Sequence, residues 1–221
     1  MDSPSIHSVS CKSGGGDKIR HEAIVRTVKD MIKDAGLTVS NFEPRPVSNV
    51  TNKRADIKLI ADNFSTIHLD VHVKNESSHQ NIQDLNSPIV PLAAAYSGYN
   101  KKINHHQSEH DAAGISFIPI VFEVSGGMHP AVIDFVTYCA RIYANNHPGS
   151  VPSYVTSYCP NFKRYWLMRL SVANLFGTAN AIVTYKRRPL NMSHKDTASG
   201  LRTSRDYALP YRQYVKRPLR R

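Results

Sequence analysis

Residues 67–74 read IHLDVHVK, and apolar and polar side chains alternate along them without a break. A period of two predicts a β-strand, because successive side chains of a strand point to opposite faces of the sheet. An ordinary half-exposed strand would show the same alternation. The unusual feature is the chemistry of the polar face, which gathers an Asp, two His and a Lys: His68, Asp70, His72 and Lys74.

A second strand precedes this one. Residues 55–60 read ADIKLI, and Asp62 and Asn63 supply the turn between the two strands. Such a hairpin can bring the carboxylates of Asp56 and Asp70 to one end of a sheet. Two hard oxygen ligands suit Mg²⁺ or Mn²⁺, which can polarise a phosphodiester and help ionise an attacking water. The alternative is that both aspartates are turn or edge residues on a solvated face.

The flanking segments predict an α/β domain with a mixed sheet. A helix follows Asp17 and ends at Gly36, residues 37–42 are β-like, and residues 75–88 are polar and turn-like. A helix is predicted over residues 91–106, a buried strand over 115–123, and two helices over 129–145 and 161–185. Pro119 predicts that the strand at 115–123 is an edge or bulged strand, because proline cannot donate to a sheet.

The positive charge is concentrated in the C-terminal segment. Residues 186–221 hold 11 Lys or Arg and 2 Asp or Glu, whereas the rest of the chain holds 17 and 15. A basic tail favours a polyanionic partner, most simply nucleic acid, and a disordered solubilising tail is the alternative. We expect little order from residue 186 onward. The expected nucleic-acid-binding residues are Lys186, Arg187, Arg188, Arg202, Arg205, Arg212, Lys216 and Arg217.

Localisation is expected to be nuclear or cytoplasmic. The sequence contains no apolar run of the length that spans a membrane and no segment typical of a secretory signal. Its three cysteines are too few for a disulfide framework and fit a reducing compartment.

Several further side chains could take part in a site. A lysine is needed near the carboxylates to offset charge on the phosphate, and Lys74, Lys101 and Lys102 are candidates. The helix-end cluster of His105, His106, Glu109 and His110 could bind a metal, but a solvated cluster is the favoured interpretation. His7 and Cys11 have the spacing of half a zinc site.

Four segments together resemble the nuclease domain at the C-terminal end of non-LTR retrotransposon polyproteins. The segment IHSVSCKSGGGDKIRHEAIVRTVKDMIKDAG resembles the family's HALSCKKGG…RH…IR region, and RADIKLI with LDVHVKN resembles its RPDI and DVTVTNP strands. AAAYSGYNKKINHH followed by GISFIPIVFEVSGG resembles its helix-strand unit, and RYWLMRLSVANLFGTANAI its closing helix. The resemblance spans residues 6–183 in order.

The resemblance implies a PD-(D/E)XK, restriction-endonuclease-like fold that nicks DNA with Mg²⁺ or Mn²⁺. The implied core is a helix, a mixed sheet, a helix and a strand, with extra C-terminal helices. Asp56 and Asp70 would be the motif carboxylates and Glu22 a third metal ligand, while His72 stands where the usual lysine would be. By family position Lys101 is favoured over Lys74 as the catalytic lysine. Ala55 replaces the motif proline, and His105 replaces a tyrosine.

The expected organisation is therefore an irregular leader (1–17), a nuclease-like domain (18–185) and a basic tail (186–221). The predicted function is a Mg²⁺-dependent DNA endonuclease of retrotransposon origin. DNA is the expected partner, with element RNA and a reverse-transcriptase polyprotein as further partners, and no membrane is expected. Zn²⁺ at His7 and Cys11 is expected only in a longer parent protein. The alternatives are a catalytically inactive nucleic-acid-binding module and a degenerate element remnant.

Overall fold

The computed structural model describes residues 16–40, 43–47, 54–87 and 89–186, which form a four-stranded mixed sheet and five helices. The His7 and Cys11 pair and nearly all of the basic tail lie outside the described residues. In chain order the elements are α1 (Gly16–Asp34), β1 (Thr38–Val39), β2 (Ile57–Ile60), β3 (Thr66–Lys74), α2 (His79–Leu85), α3 (Ala93–Ala112), β4 (Ser116–Glu123), α4 (Pro130–Asn146) and α5 (Phe162–Lys186).

The predicted hairpin forms the centre of the sheet. The strand order is β1-β2-β3-β4; β1 and β2, and likewise β2 and β3, run antiparallel, whereas β3 and β4 run parallel. The strand β4 carries Pro119 and lies at one edge of the described sheet, as its proline predicted. The parallel crossover from β3 to β4 passes through α2 and α3, as a parallel pair requires.

One face of the sheet packs on α1, α4 and α5. The apolar side chains of β3 join Ile24 and Val28 of α1, Val136 of α4 and Leu170 of α5 in a single buried core. Asp34, at the end of α1, accepts hydrogen bonds from Tyr154 (2.7 Å) and from Trp166 of α5 (2.8 Å). Gly36 ends the first helix as predicted, with a φ of +84° that suits glycine.

The other face of β3 is covered by α3, so the half-exposed interpretation of that strand is wrong. His68 and Asp70 are each only 4% exposed, because α3 lies across the polar face. Leu92 offers no side-chain cap at the start of α3. Glu123 at the end of β4 instead accepts a hydrogen bond from Ala95 N–H (3.1 Å), which anchors the helix to the sheet.

Several sequence-based assignments are wrong, and the strand predicted over residues 55–60 begins only at Ile57. Residues 79–85 form the short helix α2 rather than a turn, because Ser78 caps it by accepting from Asn81 N–H. The next helix continues six residues beyond the predicted end at His106, to Ala112. Cys139 and Cys159 are buried free cysteines. No described helix combines the length and apolarity needed to cross a bilayer.

Candidate active site

The hairpin brings Asp56 and Asp70 together at one end of the sheet. The β2–β3 register ends at the pair of Ile57 with Leu69, and Asp56, the residue before β2, donates its backbone N–H to the Leu69 carbonyl oxygen (2.9 Å). Its carboxylate accepts a hydrogen bond from the N–H of Val71, the residue that follows Asp70. The two carboxyl groups therefore lie near each other, as the sequence predicted, and the charge of Asp56 acts on Asp70.

Asp56 is held by two donors that bind the same oxygen. Its Oδ2 accepts from Val71 N–H (2.6 Å) and lies 3.1 Å from Nε2 of His21 on α1. Burial favours the neutral carboxyl, but His21 and then the Val71 amide outweigh it, so the net pKa of Asp56 is lowered. The same contact raises the pKa of His21, even though burial alone would lower it. The ionised carboxylate is thus fixed in orientation.

Asp70 lies deeper and carries the opposite shift. Burial raises its pKa to about 6, and neighbouring Asp56 adds to the increase. Lys102 on α3 opposes this, because its Nζ lies 2.7 Å from Asp70 Oδ2. The Nε2 atom of His106 lies 3.5 Å from the same oxygen. A lysine and a histidine of the same helix therefore lie next to a carboxylate whose ionised form is destabilised by burial.

His72 and Lys74 continue the polar face beneath Gly98 of α3. A Cβ atom at Gly98 would stand 2.8 Å from Lys74 Cγ and 3.3 Å from His72 Cδ2. The absence of a side chain at this position lets the helix approach the strand closely. Burial, and then the charge of Lys102, lowers the pKa of His72 to about 4, so its imidazole is neutral near pH 7.

A buried histidine cluster extends the site toward the start of β3. His68 Nδ1 lies 3.2 Å from Nε2 of His110, whose Nδ1 lies 2.9 Å from the His106 carbonyl oxygen. His106 and His110 are 4% and 2% exposed, so the prediction of a solvated helix-end cluster is wrong for both. His105 alone among the three helix histidines is exposed. The pKa of His68 is lowered to about 4, chiefly by burial.

The resemblance assigned Lys101 and Glu22 to the site. The Lys101 side chain is exposed on α3, and Lys102 is the lysine that contacts Asp70. Lys74 is half-buried beside Gly98. Glu22 adjoins His21 on α1, but its Oε1 lies 3.8 Å from Lys18 Nζ. The structure therefore brings Asp56, Asp70, His72 and Lys74 to one face and adds His21, Lys102 and His106.

The site suits a divalent cation through its carboxylates. Asp56 and Asp70 lie side by side, and their repulsion contributes to the raised pKa of Asp70. A hard cation between them would relieve that repulsion, with water and phosphate completing its shell. Among the described residues, no group of three or more His, Cys, Asp and Glu side chains is arranged to hold a metal ion. The protein would thus supply two ligands, Asp56 and Asp70.

Two of the added residues, Lys102 and His106, were already candidates from the sequence, whereas His21 was missed. Gly98 stands in the middle of a predicted helix, where a glycine indicates that the helix backbone approaches another element closely. Lys102 and His106 follow it at intervals of four residues and therefore lie on the same face of the helix. His21 gives no such signal, because its partner Asp56 comes from a distant segment. A scan against models of protein families finds no match, and a search of curated proteins finds no significant relative.

Proposed function

We propose that this chain is a metal-dependent DNA endonuclease that cuts one strand of its target. The observation that carries the proposal is the closeness of Asp56, which immediately precedes β2, to Asp70 on β3, with Lys102 Nζ 2.7 Å from Asp70 Oδ2. Paired carboxylates beside a lysine provide the ligands and the counter-charge that phosphodiester hydrolysis needs. The positive charge of the 186–221 segment supports a nucleic acid as the substrate.

The order of elements also supports a restriction-endonuclease-like fold. A helix, an antiparallel hairpin bearing the acidic pair, a helix bearing the lysine and a parallel strand follow one another along the chain. The same order is implied by the resemblance to retrotransposon nuclease domains. The fold name is therefore part of the proposal, and the four-stranded mixed sheet is its structural basis.

The protein side chains have distinct parts in this proposal. A bound Mg²⁺ or Mn²⁺ would polarise the scissile phosphate and lower the pKa of a water. His21 and Val71 N–H fix the Asp56 carboxylate. Lys102 holds a positive charge within reach of Asp70, where it can offset charge that builds on the phosphate. The neutral imidazole of His72 can hydrogen bond to water without adding charge.

The decisive experiment is nicking of supercoiled plasmid by the purified full chain with Mg²⁺ or Mn²⁺. Asp70→Ala should abolish nicking while DNA affinity stays within a few-fold, because lysines and arginines bind the duplex and the carboxylate holds the metal. Asp84→Ala is the matched control, since Asp84 is exposed on α2, away from the pair. Undiminished nicking by Asp70→Ala would refute the assignment.

Metal binding can be measured independently of cleavage. Mg²⁺ should raise the melting temperature of the wild-type chain, because a ligand that binds only the native state stabilises it. The increase should vanish in Asp70→Ala and persist in Asp84→Ala. A wild-type chain that binds DNA but neither cuts it nor responds to Mg²⁺ or Mn²⁺ would favour the inactive binding module instead.

A further inference from the structure

A groove of about 690 Å³ runs along the outer side of α3. Residues from successive turns of the helix line it, together with Leu85 of α2. The helix residues used below are Tyr96, Asn100, Lys101, Asn104 and His105. They alternate along one helix face at spacings of three and four, whereas Gly98, Lys102 and His106 lie toward the sheet.

Tyr96 provides an aromatic surface that is half-exposed and held in place. Its side chain is 46% exposed. One edge-to-face contact joins it to the ring of His129 (4.7 Å between centroids), and His129 stacks on Tyr99 (4.0 Å, 9° between planes). His129 is itself fixed, because its Nδ1 accepts from Ala131 N–H at the start of α4. A fixed ring loses little entropy when a flat ligand stacks on it.

Beside the apolar Leu85 and Ala93, the lining contains several polar side chains and the positive charge of Lys101. Lys101 can pair with a phosphate, and the amides of Asn100 and Asn104 can donate to and accept from a base edge or a sugar. His105 adds an imidazole one turn beyond Lys101. An aromatic ring beside a cation and amides is the combination that binds unpaired nucleotides, because every base has a face that stacks.

We propose that this groove binds an unpaired nucleotide of the DNA substrate, with its base on Tyr96 and its phosphate at Lys101. The identity of the ligand as DNA rests on the proposed nuclease function. The groove and the carboxylate site share the helix α3: Lys101 lines the groove, and the next residue, Lys102, places its Nζ 2.7 Å from Asp70 Oδ2. A strand displaced or frayed near the cut would thus be held within a short distance of Asp70.

The test measures binding of a fluorescent single-stranded oligothymidylate of about ten nucleotides to the full chain. Tyr96→Ala should weaken binding roughly tenfold, whereas Tyr96→Phe should bind as the wild type does, because it keeps the ring. Tyr158→Ala is the matched control, since Tyr158 is 83% exposed on the connector before α5. Lys101→Gln should also weaken binding, and a blunt duplex should bind Tyr96→Ala and the wild type equally.

A ribonucleotide strand of the same length distinguishes DNA from RNA, and preferential binding of RNA would overturn the choice of DNA.

Unchanged binding by Tyr96→Ala, or an equal loss for duplex and single strand, would overturn the groove assignment. Thermal melting of Tyr96→Phe and Tyr96→Ala shows whether the mutants are folded, and a stacked 2-aminopurine base gives a second readout through its quenching. If quenching depends on Tyr96 but the chain does not nick DNA, the nuclease function is refuted and nucleotide binding in the groove is supported. If nicking depends on Asp70 but Tyr96→Ala binds the single strand as the wild type does, the nuclease function is supported and nucleotide binding in the groove is refuted.

Discussion

Lys102 Nζ lies 2.7 Å from Asp70 Oδ2, whereas the neighbouring Lys101 side chain is exposed on the same helix. At saturating DNA, Lys102→Met should therefore lower the nicking rate on the order of 100-fold, as for other preorganised charges. Lys101→Met should weaken binding and leave the saturated rate within a few-fold. The two lysines are matched controls for each other in a plasmid-nicking time course. A greater loss of rate in Lys101→Met would restore the lysine chosen by resemblance.

His21→Ala should change how stability depends on pH. The contact with Asp56 raises the pKa of His21 in the folded chain despite burial. A raised histidine pKa contributes stability that is complete below the unfolded pKa of 6.5 and is lost as pH rises through the folded pKa. The difference in melting temperature between the wild type and His21→Ala should thus be largest below about pH 6 and shrink in alkaline solution. His79→Ala, exposed on α2, should show no such trend.

Asp70→Asn should become relatively more stable as pH rises. Burial and then Asp56 raise the pKa of Asp70 from 3.8 to about 6, with Lys102 in opposition. The unfolded chain loses the proton first, so wild-type stability from this group falls between about pH 4 and 6 and is constant above. In metal-free buffer, the melting temperature of Asp70→Asn should gain on the wild type across that interval. A flat difference from pH 4 to 7 would contradict the raised pKa, and Asp84→Asn provides the control.

Gly177→Ala should destabilise the contact between α1 and α5. A Cβ atom at Gly177 would lie 2.7 Å from both Cα and Cβ of Arg20, and backbone cannot yield as a flexible side chain can. Overpacking of this kind costs roughly 1–3 kcal/mol, which exceeds the gain of about 1 kcal/mol from replacing a helical glycine. Urea unfolding would measure the difference, with Val172→Ala, exposed on the same helix, as control. Increased stability of Gly177→Ala would show that the helices separate easily.

The hairpin and its acidic pair could be predicted because their determinants are local. Alternation in residues 67–74, the turn at Asp62 and the strand predicted over 55–60 indicate that Asp56 and Asp70 meet at one end of the hairpin, and in the structure Asp56 accepts from Val71 N–H beside Asp70. The same pattern could not show that α3 covers the polar face. Histidines and lysines at helix positions are usually solvated, and only tertiary packing decides that His106 and His110 are buried.

For the same reason, the sequence could not show whether Lys101 or Lys102 is the lysine that lies next to Asp70. Adjacent helix residues point about 100° apart, so Lys101 and Lys102 differ in direction although their sequence context is the same. The helix is oriented by Gly98, which approaches β3, and by Glu123, which anchors its first turn. Neither contact can be predicted from the periodicity of the sequence, because each joins segments that are far apart in the chain.

The C-terminal basic segment should increase the affinity for DNA without adding sequence specificity. Residues 186–221 hold 11 Lys or Arg against 2 Asp or Glu, and most of them lie beyond the described residues. Each cation that neutralises a phosphate releases counterions, so affinity should fall steeply with salt concentration. Removal of residues 187–221 should flatten the slope of log affinity against log salt and weaken binding. Nicking at saturating DNA should remain, because Asp56 and Asp70 belong to the hairpin.

The alternative is that Tyr207, Tyr211 and Tyr214 pack this segment against the domain, so that it has a structural role. In that case the salt slope would be unchanged and the melting temperature would fall instead, which would remove the main electrostatic support for a nucleic-acid partner.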